Sequence, residues 1–157
     1  TPIETCRTPM ISGKKLAVVP VLRAGLGMVN GITTLVPSAK IGHIGLYRDP
    51  VTHEPHEYYC KLPNPIDERI IVVTDPMLAT GTSMELSYRA LLTKGTPARI
   101  HLASVIASQK AVDYIGDHFP GDITTLWTGA IDPVINEHSY IVPGLGDAGD
   151  LAYGTKI

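Results

Sequence analysis

The chain has 157 residues, 44% of them hydrophobic and 18% charged, with a formal net charge of -2; that balance excludes a disordered chain and provides for one core, so a single unit over 1–157 is expected. The charge also excludes a general affinity for nucleic acid, so an anionic ligand has to be held by a few placed Arg, Lys and backbone N–H groups. No apolar run approaches the roughly 20 residues that cross a bilayer, and the opening Thr1-Pro2-Ile3-Glu4-Thr5 has no secretory pattern, which excludes a membrane span and points to the cytoplasm.

The chain opens without Met, in Pro- and Thr-rich sequence, as a fragment would. Leu16 to Val21 then reads as a strand buried on both faces, and Leu26 to Leu35 as a helix. Between them, Val18-Val19-Pro20-Val21-Leu22-Arg23-Ala24-Gly25-Leu26-Gly27 delivers one Arg into a Gly-containing turn. A guanidinium can grip pyrophosphate oxygens in bidentate fashion while glycines let the backbone come close. On pattern alone a surface Arg fits equally well.

Ile41 to Leu46 reads as the next strand, and Tyr47 to Lys61 as a long hairpin projecting from the body, strand-like at its ends around a polar, Pro-containing tip. Arg48 at its base is a solvated charge by pattern. At the tip, His53-Glu54-Pro55-His56 lacks the helical spacing of a zinc motif and contains a helix breaker, so it reads as solvated rather than metal-binding. Cys60 and the distant Cys6, without a metal-ligand pattern, read as reduced thiols.

Ile70-Ile71-Val72-Val73 forms a further buried strand that runs into Thr74-Asp75-Pro76-Met77-Leu78-Ala79-Thr80-Gly81-Thr82-Ser83. A helix is predicted over Ser83 to Lys94, with an apolar stripe of Met84, Leu86, Tyr88, Leu91 and Leu92 and a stop at Lys94-Gly95. A loop of small and hydroxylated residues that opens a helix presents N–H groups and the positive end of the dipole to an anion, for which phosphate is the natural guest. The dipole is worth roughly 0.3–1 kcal/mol, so several hydrogen bonds must act together. Asp75, at the strand's carboxyl end, can accept hydrogen bonds from sugar hydroxyls. An ordinary turn with a Ser or Thr cap has the same spacing.

Ile100 to Ile106 and Ile123 to Trp127 read as buried strands with a helix over Gln109 to His118 between them. The alternation predicts an α/β fold, a mostly parallel sheet flanked by helices. From Asp132 to Ile157 Pro and Gly recur with no helical stripe, and irregular backbone of that kind displays binding groups. Gly144 to Gly149 fits G-x-G-x-x-G, but a dinucleotide fingerprint needs a following helix and an acidic residue about 20 positions on, and the sequence stops at Ile157. Neither G-x-x-x-x-G-K nor G-x-S-x-G occurs, which leaves P-loop and α/β-hydrolase readings without support.

The Thr74 to Ser83 segment resembles the donor motif of the type I phosphoribosyltransferases, which use phosphoribosyl pyrophosphate (PRPP). Its Asp75-Pro76-Met77-Leu78-Ala79-Thr80-Gly81 form is that of the uracil phosphoribosyltransferases, whose relatives mostly carry a second acidic residue where this chain has Pro76. The resemblance runs from about Lys14 onward with the motifs in family order, and implies that the family's N-terminal segment is missing. It implies the type I fold with a protruding β-hairpin and an irregular C-terminal base-binding region. PRPP contacts are implied at Arg23, Arg48, Asp75, Pro76, Met77, Leu78, Ala79, Thr80, Gly81, Thr82, Ser83 and Asp147.

The run Tyr140 to Asp150 is similar to the family's uracil loop, in which backbone groups at Ile141, Gly146 and Ala148 pair with the base edge and Asp147 faces ribose and pyrophosphate, indirectly through Mg2+. Pairing of that kind rejects a mismatched base by roughly 10⁴-fold. Asp75 and Asp147 are the implied catalytic carboxylates. The family's chemistry is transfer of phosphoribosyl from PRPP to uracil, giving UMP and pyrophosphate in pyrimidine salvage, with Mg2+ carried mainly by PRPP. Homodimers or homotetramers are implied, with GTP or CTP as possible allosteric effectors. Transfer to another base, such as a purine, and non-catalytic uracil or nucleotide sensing on the same scaffold are the alternatives. The chain departs from the family at Thr82, where Gly is usual, and at Leu151, where a basic residue is usual. No role for His138 follows from its chemistry.

Overall fold

Seven residues without a charged side chain, Leu16–Leu22, form strand β1, and the first six are buried. Burial on both faces of a parallel sheet selects such a run. The structure is a computed structural model describing residues 2–9, 13, 15–49, 52 and 55–155, the side chain of Arg48 excepted. After β1 come α1 (Leu26–Leu35), β2 (Lys40–Ile41), β3 (His43–Arg48), β4 (Pro55–Lys61), β5 (Ile70–Thr74), β6 (Met77–Leu78) and α2 (Thr82–Leu92). They are followed by β7 (Arg99–Ser108), α3 (Gln109–His118), β8 (Thr124–Asp132), β9 (Val134–Ile135), β10 (Ile141–Val142) and α4 (Ala148–Tyr153).

The main sheet runs β4-β3-β1-β5-β7, with β8 on the far side of β7, β6 against the end of β7 and β2 against the start of β1. All these pairings are parallel except β3 with β4. Pro20 stands inside β1, where it would ordinarily break the ladder. On one side β2 pairs only as far as Val18 and β3 begins at Val21. The Val18 carbonyl faces that side, accepting from Gly42 N at 3.0 Å. Pro20, two residues on, faces the same way, so the N–H it lacks falls at the break.

The core lies between sheet and helices: Val19, Val21, Ile71, Val73, Ile100 and Leu102 from the strands meet Met84, Ala90 and Leu91 of α2 and Ala111 and Ile115 of α3. Tyr88 of α2 packs on Phe119 after α3, ring centroids 4.9 Å apart.

Several expectations change in detail. The hairpin starts inside the sheet: β3 pairs with β1 on one side and with β4 on the other from His43 to Arg48, so it extends a sheet edge. Ile41 belongs to β2, cut from β3 by Gly42, where a Cβ would lie 2.9 Å from the Pro63 ring. β8 runs to Asp132, and it is not buried on both faces: Trp127 is 59% exposed. Having a main-sheet neighbour on one side only, it keeps one flank open among the described residues. Leu92 of the α2 stripe is exposed. The C-terminal region, expected to be irregular, contains the short helix α4.

Candidate active site

β1 and β5 are parallel neighbours in register from Leu16–Ile70 to Pro20–Thr74. Their carboxyl ends therefore open side by side, where β1 lies between β3 and β5; ligands of open α/β sheets bind at such a point. Arg23 follows β1 and Asp75 follows β5. The two turns lock together through Gly25: a Cβ there would stand 2.1 Å from the Thr74 carbonyl oxygen and 2.8 Å from Val21 N. The buried Thr74 hydroxyl donates to the Gly25 carbonyl at 3.0 Å.

The loop after β5 is held from behind. Asp75 Oδ1 accepts from Met77 N at 3.2 Å, and its carbonyl accepts from the Ser104 hydroxyl at 2.8 Å. Leu78 turns its side chain into the core. The buried Ser108 hydroxyl donates to the Ala79 carbonyl at 2.6 Å and accepts from Ala111 N at 3.0 Å, so one group caps α3 and ties the loop to it. Gly81, the α2 N-cap, is left-handed (φ 85°, ψ -20°) and supplies no side-chain cap. The start of α2 therefore has no side-chain cap on its first N–H groups, a geometry that suits an anion. Thr82, in place of the usual Gly, is the first helical residue, so the positive φ is required of Gly81 and not of Thr82. The Thr80 and Thr82 hydroxyls are 2.8 Å apart and hydrogen-bonded.

The C-terminal loop is shaped by two side chains that the sequence reading passed over. Asn136 Oδ1 accepts from His138 N at 3.0 Å and Tyr140 N at 2.9 Å, and Asp132 Oδ2 accepts from Gly144 N at 3.1 Å. Asn in a tight turn is the available sequence signal for the first. Ile141 is buried and pairs with Ile135. Asp147 is the N-cap of α4, its Oδ1 accepting from Asp150 N at 2.9 Å.

These loops surround one open cavity of about 830 Å³. Of the expected residues, Arg23, Asp75, Met77, Ala79, Ser83, Gly146, Asp147 and Ala148 line it. Pro76, Leu78, Thr80, Gly81, Thr82 and Ile141 lie off its wall, and the Arg48 side chain lies outside the described part. Tyr47 and Tyr58 of the hairpin, Tyr140 and His138 are also among the lining residues; as exposed aromatics the tyrosines carry no signal in sequence. Arg23 is held by α4: Nη2 lies 2.7 Å from Asp150 Oδ1, and Nη1 donates to the Gly154 carbonyl at 3.1 Å. One ion pair thus joins the turn after β1 to the C-terminal loop. Among the described residues no group of three or more His, Cys, Asp and Glu could hold a metal ion, and of the tip sequence His53 and Glu54 lie outside them. Asp75 and Asp147 both line the cavity, and their carboxylates are hard oxygen donors of the kind that fits a Mg2+.

A parallel sheet with the Arg23 turn after one strand and the Asp75 loop after its neighbour is the arrangement expected of the type I phosphoribosyltransferase fold. Solved structures bear out the fold: a hypoxanthine phosphoribosyltransferase from Staphylococcus aureus covers 78% of this chain and 65% of that one at TM-score 0.55 and 16% identity. A purine phosphoribosyltransferase from Pyrococcus horikoshii covers 77% and 80% at TM-score 0.53 and 16% identity. The AQ2163 protein from Aquifex aeolicus is much more similar, covering 100% of this chain and 74% of that one at TM-score 0.88 and 35% identity. Residues 1–155 match the uracil phosphoribosyltransferase family, and the chain belongs to it. It is 50% identical over 156 residues to the uracil phosphoribosyltransferase of Brevibacillus brevis and 49% identical over the same length to that of Clostridioides difficile, covering 99% of this chain and 73% of each relative.

Proposed function

We propose that this chain transfers the 5-phosphoribosyl group of PRPP to uracil, giving UMP and pyrophosphate, and that 1–157 acts as one phosphoribosyltransferase unit. The observation that carries the reading is the meeting, around one cavity, of the Arg23 turn, the Asp75 loop and the Gly146-Asp147-Ala148 loop, which are far apart in sequence. A cavity of about 830 Å³ is of a size that admits two small substrates together.

The 5-phosphate is assigned to the start of α2, with hydrogen bonds from the 79–83 loop, and the ribose hydroxyls to Asp75. Uracil takes the C-terminal loop, pairing with the backbone of Ile141, Gly146 and Ala148. A ring nitrogen of uracil forms the bond to the anomeric carbon as the bond to pyrophosphate oxygen breaks, and the nitrogen's proton passes to solvent. Holding base and sugar in line supplies much of the acceleration. Asp75 and Asp147 place negative charge beside an anomeric centre that becomes positive, and Arg23, exchanging Asp150 for pyrophosphate, offsets charge on the leaving group. Arg48 belongs to the same donor contacts. PRPP itself and, indirectly, Asp147 would hold a Mg2+, which would supply charge neutralisation on the leaving oxygens.

No helix among the described residues is long and apolar enough to cross a membrane; a cytoplasmic location is part of the same proposal, as salvage of a free base implies. Assembly as homodimers or homotetramers, and response to GTP or CTP, are further parts of the family reading, checked by sedimentation with and without those nucleotides. Incubation of the purified chain with uracil, PRPP and Mg2+ is expected to yield UMP, and cytosine or hypoxanthine in place of uracil is expected to yield no nucleotide. Tight PRPP binding without UMP would instead favour a sensor.

A further inference from the structure

The α3 residue Tyr114 lies outside the cavity wall yet touches the tip of the anion loop. A Cβ built on Gly81 would stand 2.6 Å from Tyr114 Cδ1 and 3.1 Å from its Cγ, so the ring lies directly against the left-handed residue that starts α2. The phenol hydroxyl donates to Glu85 Oε2, and Arg89 Nε donates to Glu85 Oε1 at 3.0 Å. Behind the ring, His118 stacks on it at 3.8 Å between centroids and 10° between planes, while His118 Nδ1 lies 2.9 Å from the Tyr114 carbonyl oxygen. The ring is thus gripped between Gly81 on one side and His118 on another.

Glu85 is the acidic residue in the first turn of α2. A carboxylate there is drawn to the positive end of the helix, which is also where an incoming phosphate must sit. Left to rotate, it competes with that phosphate and repels it. In the structure both oxygens are engaged, one by Tyr114 and one by Arg89, and Glu85 does not line the cavity.

We propose that Tyr114 is a positioning residue for donor binding, its ring backing the Gly81 turn and its hydroxyl, with Arg89, tethering the Glu85 carboxylate away from the phosphate position. The inference rests on the phosphate assignment made above, and it names residues the donor never touches. It also separates two parts of one side chain. The ring shapes the loop; the hydroxyl keeps a like charge out of it.

The test compares Tyr114→Phe, Tyr114→Ala, Glu85→Gln and the double variant Tyr114→Phe/Glu85→Gln with the wild-type chain, reading KM for each substrate, kcat, and the Kd for PRPP by calorimetry. Loss of one hydrogen bond to a charged group should raise the PRPP KM and Kd about fivefold in Tyr114→Phe, and loss of the ring as well should raise them more in Tyr114→Ala. The uracil KM and the kcat at saturation should stay within about twofold, a split that general loosening of the fold would not produce. Glu85→Gln, which removes the charge needing the tether, should restore PRPP affinity in the double variant. Tyr114→Phe with unchanged PRPP affinity, equal losses for both substrates, or no rescue in the double variant would overturn the proposal, and these readings stand even if Tyr114→Ala does not fold. A wild-type chain that binds PRPP but makes no UMP would sink the uracil reading alone, since the Kd series still decides the role of Tyr114.

Discussion

Asp75 and Arg23 occupy equivalent places at the ends of neighbouring strands, but the fold treats them differently. Asp75 is set by two hydrogen bonds, Met77 N donating to its Oδ1 and the Ser104 hydroxyl donating to its carbonyl, and lines the cavity in place. Arg23 is held by Asp150 and Gly154, and has to exchange those partners to reach a pyrophosphate. Asp75→Asn keeps the shape and removes the charge. It is expected to lower kcat by roughly 10²-fold, as loss of one preorganised electrostatic group does, with the melting temperature little changed; full turnover at saturating substrates would end the assigned role. Sequence marks both residues by motif, but Ser104 on Asp75 and Asp150 and Gly154 on Arg23 arise from chain far downstream and cannot be read locally. Tyr114 is the opposite case. Its spacing marks it only as a helix residue, because what matters is a glycine 33 positions earlier (114 minus 81) against which it packs.

At the scale of elements, alternation of apolar runs and helical stripes was enough to place the strands around β1, β5 and β7 and the helices α1 to α3, because fully buried parallel strands and amphipathic helices leave distinct periodicities. It failed where burial is one-sided or the element is short. β8 extends through Thr128, Gly129 and Ala130, a stretch without a buried-strand signature, since pairing with β7 and not side-chain burial keeps it extended. α4 has six residues, too few for a stripe, and is nucleated by the Asp147 cap. Gly25 reads in sequence as room for a ligand, whereas the fold uses it to pack the turn after β1 onto β5. Gly25→Ala would push a methyl into three backbone atoms within 2.9 Å, so a loss of about 1–3 kcal/mol in urea unfolding is expected; a neutral effect would mean that the turn can open without cost.

For the molecule as a whole, the Glu85 clamp sets a pH range. The Tyr114 hydrogen bond, followed by that from Arg89, holds Glu85 below the ordinary carboxylate range, with His118 adding a smaller push in the same direction. The same bond, followed by burial, lifts the Tyr114 hydroxyl above the ordinary phenol range. A depressed carboxylate stabilises the fold above its unfolded pKa and loses that effect as pH falls through the folded one; a raised phenol stabilises below its unfolded pKa and loses it as pH rises through the folded one. The melting temperature of the wild-type chain should therefore exceed that of Glu85→Gln most near neutral pH, with the gap closing toward acid and toward strong alkali. Melts across that range check it, and a gap independent of pH would exclude the clamp as its source.

Local chemistry in the sequence was sufficient for the sheet class, for the loop that runs from β5 into the start of α2 and for the family, because each depends on neighbours within about a dozen residues. Assembly of the site depends on something else. That Gly25 meets Thr74, that Ser108 braces the loop at Ala79 and Tyr114 at Gly81, and that Asp150 holds Arg23 are contacts between segments tens to more than a hundred residues apart. Pattern along the chain carries no distance between such segments, so only the packed sheet, with β1 and β5 side by side and α3 behind α2, brings them together.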